Sequence, residues 1–152
     1  VNKLANEGDA GRFHFSKPQV PGLDYSFSGL KTSFLYTLRD ELAKDPDFVA
    51  KNKADLCASL QKTVIDILMS KLLRASKETG IKHIAVAGGV SANTGLRDAY
   101  HAYAERYGWQ VYIPPFAFTT DNAAMVAMAG SFAYERRAYG SIEAVPFAKT
   151  TI

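Results

Sequence analysis

Apolar residues recur at three- and four-residue steps along two stretches of this chain and run almost without interruption along two short ones. Leu30, Phe34, Leu35, Leu38 and Leu42 trace one helical face, which "AKDP" ends near Lys44. After Pro46 a longer stripe follows through Leu56, Leu60, Val64, Ile67, Leu68 and Leu72, with Lys62, Lys71, Arg74 and Lys77 off it and facing water, until Gly80 closes the helix. "HIAVA" (83–87) and "WQVYI" (109–113) are short, β-branched and apolar throughout, the pattern of strands covered on both faces. Helices over about 92–107 and 121–139 follow these strands. The order strand, helix, strand, helix predicts an α/β fold, helix-rich, with a short and mostly parallel sheet.

The amino-terminal part is less regular. "VNKLANEG" reads as the last turns of a helix closed by Gly8, so the chain is expected to begin partway into a longer protein. From Asp9 to Tyr25 no period survives, which predicts a loop ending in a short extended piece at "YSFSG". No internal repeat or low-complexity segment is visible.

At 152 residues, 47% hydrophobic and 22% charged, the chain has the size and balance of one folded unit with a single core. A formal charge of +3 and a pI near 9.0 permit contact with nucleic acid without requiring it. The lone Cys57 cannot form an internal disulfide, which fits a small buried side chain in a reducing, cytoplasmic setting. The apolar run from Ala123 to Tyr134 falls well short of the roughly 18 residues of a membrane span, and Lys3, Glu7 and Asp9 break any secretory signal.

Candidate chemistry lies where strands give way to helices, the edge at which open α/β sheets place ligands. Gly88 and Gly89 would let backbone N–H groups come against a phosphate; equally, they would serve a tight turn in which Ser91 caps the next helix. Asn93 offers a donor and an acceptor to a polar ligand, or a local cap. Asp121 is either a metal ligand at a strand's carboxyl end or an acid favoured by a helix dipole. "FSGLKT" is not a Walker A loop, because Leu30 separates Gly29 from Lys31 and the upstream glycine is missing; Lys31 either meets an anionic partner or is solvated. Arg136 and Arg137, with Lys71 and Arg74, would reach RNA phosphates or form solvated faces. His14, His83 and His101 have no metal-binding spacing, and no nucleophile arrangement is found.

Taken in order, "YSFSGLKT", "AVAGGVSANTGLR" and "TTDNAAMVA" closely resemble the C-terminal part of the tRNA threonylcarbamoyladenosine transferase family (TsaD, called glycoprotease or O-sialoglycoprotein endopeptidase in older descriptions), and the resemblance covers nearly the whole chain. It implies that residues 1–152 are the C-terminal lobe of a two-lobed transferase with the actin-like, sugar-kinase-like ATPase fold. The implied reaction moves threonylcarbamoyl from threonylcarbamoyl-AMP to N6 of the adenosine beside the anticodon in tRNAs reading codons that begin with A. Asn93 would contact the acyl-adenylate, Gly88 and Gly89 would lie against the nucleotide, and Asp121 would be one ligand of an iron or zinc ion. Implied partners are tRNA and, in bacteria, the proteins TsaB and TsaE. The family's His-x-x-x-His pair and glycine-rich substrate loop are missing, which implies that this chain alone is inactive, holds metal weakly or not at all, and associates with itself through exposed apolar surface. The competing readings are a lobe of a carbohydrate or acetate kinase and a non-enzymatic nucleotide-binding module.

Overall fold

A computed structural model of the chain describes residues 1–145. The elements are α1 (Asn2–Ala5), α2 (Ser28–Leu42), α3 (Phe48–Thr79), β1 (His83–Ala85), a 3-10 turn (Gly89–Ala92), α4 (Thr94–Tyr107), β2 (Gln110–Tyr112), a second 3-10 turn (Phe116–Phe118) and α5 (Ala123–Glu135). The two strands pair in parallel, with His83 opposite Gln110, Ile84 opposite Val111 and Ala85 opposite Tyr112. The α/β class and the short parallel sheet are as the pattern predicts. Among the described residues no helix is long and apolar enough to cross a membrane.

The 32-residue α3 is the spine. At 1.5 Å per residue it runs about 48 Å, and its stripe does not serve the single core expected. Leu56 and Ile67 belong to a cluster with Phe15, Leu30 and Phe48, against which Leu60 and Val64 pack. Met69, only 1% exposed, joins Ile84, Leu96 and Trp109 in a second cluster flanked by Leu68 and Leu72. The stripe divides because α3 is long enough to meet α2 toward its start and α4 with the sheet toward its end, while the loop before α2 runs along both parts. Trp109 closes the second cluster, its indole Nε1 donating to Ser76 Oγ at 2.9 Å while that hydroxyl donates to the Ile81 carbonyl at 2.6 Å.

Four sequence expectations change. The helix expected from Leu30 starts at Ser28, so the end of "YSFSG" is helical rather than extended. The strands are not covered on both faces: Ile84 is buried and Val111 half-buried, whereas His83, Ala85, Gln110 and Tyr112 are exposed, because α3 and α4 pack against one side only. Cys57 is half-buried rather than buried. Lys71, proposed for RNA or water, is engaged within the chain, its Nζ donating to the carbonyls of Val20 and Gly22 at 2.7 Å each; Arg74 stays exposed as expected while reaching Gly22 and Glu78.

The loop before α2 is strapped to α3 by polar side chains. Ser59 Oγ accepts from Phe13 N and donates to Asp9 O, and Asp55 accepts from Asp9 N and pairs with Arg12. Lys17 and Lys62 both reach Asp66 Oδ2 at 2.7 Å. Burial pushes the Asp66 carboxyl up, but the hydrogen bonds from Lys17 and Lys62 outweigh it and leave the group below its ordinary value.

α5 differs from every other long element. Its sequence is apolar nearly all round, yet it has no buried residue; Met125, Val126, Met128 and Phe132 are between 48% and 73% exposed. A helix of that composition is ordinarily covered.

Two outcomes are expected. Because the native Asp66 carboxyl titrates below its unfolded counterpart, its contribution is present above about pH 4 and is lost as pH falls further; Asp66→Asn should remove that part of the acid dependence in denaturation curves taken between pH 2 and 6. The isolated chain should associate with itself through α5, so light scattering should show mass rising with concentration and Phe132→Glu should reduce the rise. A strictly monomeric chain at high concentration would overturn the second expectation.

Candidate functional site

Parallel pairing sends the segments after β1 and β2 out of the same edge of the sheet. The pairing extends one step past the strands, where Val86 N donates to Tyr112 O at 3.1 Å, and two residues later the first segment turns at the glycines.

The two glycines differ physically. Gly88 has φ 84° and ψ 171°, a backbone region essentially confined to glycine, so the turn itself accounts for it. Gly89 opens the 3-10 turn, and a β-carbon built there would meet nothing within 4 Å among the described residues. The fold of this chain therefore does not require Gly89 to lack a side chain. Ser91, 1% exposed, closes the turn by donating from Oγ to the Gly88 carbonyl at 2.7 Å. It does not cap the next helix.

That cap is Asn93, whose Oδ1 accepts from Leu96 N at 2.9 Å. The helix accordingly begins at Thr94, two residues later than the pattern suggests. The Asn93 side chain also donates from Nδ2 to Gln61 Oε1 at 2.7 Å, which joins the start of α4 to the middle of α3. Both residues line a cavity of about 150 Å³ with Val64, Ile65, Val90 and Leu96.

Beyond β2 the chain passes Pro114 and the turn Phe116–Phe118 to reach Asp121. The local structural roles fall to its neighbours. Thr119 Oγ1 donates to the Phe116 carbonyl at 2.9 Å, and Asn122 caps α5 by accepting from Met125 N at 3.0 Å. Asp121 precedes the cap, outside the first turn of α5, and its exposed carboxylate pairs with no cation among the described residues. Among those residues no three His, Cys, Asp or Glu side chains converge into a metal site. Asp121 is one donor, and the described chain does not supply a coordination sphere.

Arg97 ties the two segments together. Its Nε donates to Ser91 O and its Nη2 to Pro114 O, each at 2.7 Å, while the guanidinium lies 4.0 Å from the Phe116 ring centroid. A planar, always charged fork can hold two carbonyls and stack on a ring at once, which lysine cannot. Arg97 stands in the glycine motif but was not singled out by sequence reasoning, and neither was Gln61: helical periodicity treats both as ordinary polar positions. The two segments share an edge and this brace rather than one enclosed cavity, for Phe118 and Asn122 line a different groove with Met125, Met128 and Phe132. Of the other candidates, His14 and His101 are exposed, His83 stacks on Tyr112 on the open sheet face, Lys31 is exposed in the first turn of α2, and Arg136 and Arg137 are exposed just beyond α5.

A family model described as TsaD, tRNA N6-adenosine threonylcarbamoyltransferase, matches residues 1–128. A protein of Porphyromonas gingivalis with that name is 66% identical over 152 residues, all of this chain and 45% of the relative. A Phocaeicola vulgatus protein of the same name is 53% identical, again over the whole chain and 45% of its own length. One from Thermosipho africanus is 42% identical over 150 residues, 96% of this chain and 44% of the relative. The chain thus spans somewhat less than half the length of these relatives.

The two glycines should respond unequally to a methyl group. Gly88→Ala forces an L-residue into a region that costs about 1–3 kcal/mol, whereas Gly89→Ala should change stability by no more than about 0.5 kcal/mol. Urea unfolding of the two variants measures both. Equal destabilisation would mean that the Gly89 backbone is constrained by this fold after all.

Proposed function

This chain belongs to the tRNA N6-adenosine threonylcarbamoyltransferase family, and from that premise we propose that it supplies one wall of the active site of such a transferase. In this reading residues 1–152 form the C-terminal lobe of an actin-like, sugar-kinase-like ATPase fold. The protein moves threonylcarbamoyl from threonylcarbamoyl-AMP to N6 of the adenosine next to the anticodon and releases AMP. tRNA is the acceptor, TsaB and TsaE are the protein partners in a bacterial setting, and the cytoplasm is the compartment.

The observation that supports the proposal is that the segments carrying two family motifs leave one sheet edge and are tied by a single brace at Ser91 and Pro114. The glycine segment and the Asp121 segment leave parallel neighbouring strands, and Arg97 holds a carbonyl of each. Gly89 adds to it: a glycine that this chain's own packing does not demand leaves room for a phosphate to approach the backbone. Asn93 adds polar recognition, since its amide keeps one N–H and one lone pair after its bonds to Gln61 and Leu96.

In the reaction the adenine N6 attacks the carbamoyl carbon, a C–N bond forms, and the C–O bond to the phosphate breaks. AMP departs with that electron pair, and the N6 proton passes to solvent or to the departing phosphate. N6 is a poor nucleophile, and the carbonyl arrives already activated, so the contribution of this chain is to hold the acyl-adenylate still: backbone N–H groups near Gly88 and Gly89 at the phosphate, the Asn93 amide at a polar edge. An iron or zinc ion, where bound, would supply Lewis acidity and substrate anchoring. Asp121 fits one of its ligand positions only.

In the full-length protein, Asn93→Ala and Asp121→Ala should each lower threonylcarbamoyl transfer to tRNA by about tenfold or more, measured as the modified nucleoside in digested tRNA. The isolated 152-residue chain should show no transfer and should not retain stoichiometric metal through dialysis. Undiminished modification by Asp121→Ala, or a tightly held equimolar metal in the isolated chain, would overturn this reading.

A further inference from the structure

The Asn93 amide is held from two sides, by two different helices. Its oxygen must face Leu96 N to cap α4, and its nitrogen must face Gln61 Oε1 on α3. A free asparagine amide can turn over and exchange donor for acceptor, and its orientation is decided by its partners. With both partners present only one orientation satisfies the two bonds, and it leaves one N–H and one lone pair in fixed directions. The cap alone would leave the amide nitrogen without a partner at the edge of a mostly apolar cavity walled by Val64, Ile65 and Leu96.

A second observation concerns the space that Gln61 occupies. A β-carbon at Gly95 would fall 2.8 Å from Gln61 Nε2 and 3.3 Å from Ile65 Cδ1. Gly95 lies in the first turn of α4, where its backbone follows the helix, so the glycine is explained by close approach to the Gln61 side chain. Gln61, Asn93 and Gly95 form one unit: the glycine admits the glutamine, and the glutamine orients the asparagine.

We propose that Gln61 is a positioning residue for substrate recognition, acting through Asn93 to present its amide to the threonylcarbamoyl-adenylate. The proposal rests on the reading that Asn93 contacts that substrate. It adds that the specificity of the contact is set from α3, a helix that carries none of the three family motifs.

The test is steady-state transfer to tRNA by the full-length protein at varied threonylcarbamoyl-AMP, with the melting temperature of each variant measured alongside. Gln61→Leu removes the acceptor at similar volume and should raise KM for the acyl-adenylate about five- to tenfold, the share of one neutral hydrogen bond, with kcat changed less than about twofold. Gln61→Glu keeps an acceptor and should restore KM to within about twofold of the unmodified protein. Added to Asn93→Ala, Gln61→Leu should have no further effect on KM. Gly95→Ala crowds Gln61 without altering its polarity and should raise KM in the same direction, which keeps the test open if Gln61→Leu does not fold. An unchanged KM in Gln61→Leu beside a raised KM in Asn93→Ala would overturn the proposal, as would a Gln61→Glu variant no better than Gln61→Leu or a fully additive double variant. If Asn93→Ala itself leaves KM unchanged, the failure belongs to the assignment of Asn93 instead.

Discussion

The described elements from α1 to β2 are organised by the burial of α3. Its stripe is long enough to serve two clusters, and Leu56 and Ile67 on one side and Met69 on the other are the residues through which a single helix enters both. The amino-terminal loop, irregular in sequence, is held in place by α3 side chains, Ser59, Asp66 and Lys71 among them. The sheet has only two strands, and a pair of three-residue strands has little stability without a helix against it. Packing of Ile84 with Met69 and Leu96 therefore does more than fill a core: it fixes where β1 ends and hence where the glycine segment begins. Gln61 lies between the two halves of the helix, so the same constraint reaches Asn93.

The candidate site is built on unequal foundations. The glycine segment is tightly specified, with a buried serine, a turn available only to glycine, a helix cap and the Arg97 fork all acting within ten residues. The Asp121 segment is anchored at Pro114 and Phe116 by Arg97 and at its far end by the Asn122 cap, while the carboxylate between them is exposed. Such a division suits a site in which one part must present fixed donors and another must accept groups from elsewhere. Rigid donors lower the cost of orienting a substrate, and an exposed carboxylate remains available to a cation.

Much of the fold was legible in the sequence because long helices repeat their message. Leu56, Leu60, Val64, Ile67, Leu68 and Leu72 report α3 redundantly, and Gly80 marks its end. The strands were located correctly, yet their apolar runs predicted cover on both faces, and within β1 and β2 themselves only Ile84 and Val111 pack into a described cluster. Apolarity records a preference for burial without saying which body provides it. At the site, Gly88 and Gly89 look identical as letters, both have open space beside them, and only the positive φ of Gly88 separates a glycine demanded by the turn from one that is not. Asn93 satisfied one of its two expected roles, that of cap, and its bond to Gln61 was invisible because it joins residues 32 positions apart. Arg97 was hidden for a different reason: its partners are main-chain carbonyls, which carry no residue-type signal.

Trp109 has a practical consequence for anyone observing this molecule in solution. It is the only tryptophan of the chain, 7% exposed, donating to a buried hydroxyl, with the rings of Tyr103 and Tyr107 centred 5.7 and 6.0 Å away. Its emission will follow the sheet-side cluster and take energy from those two phenols. The cluster around Phe15, Leu30 and Phe48 contains no indole, so loosening there would pass unseen by fluorescence unless α3 carried the disturbance along its length.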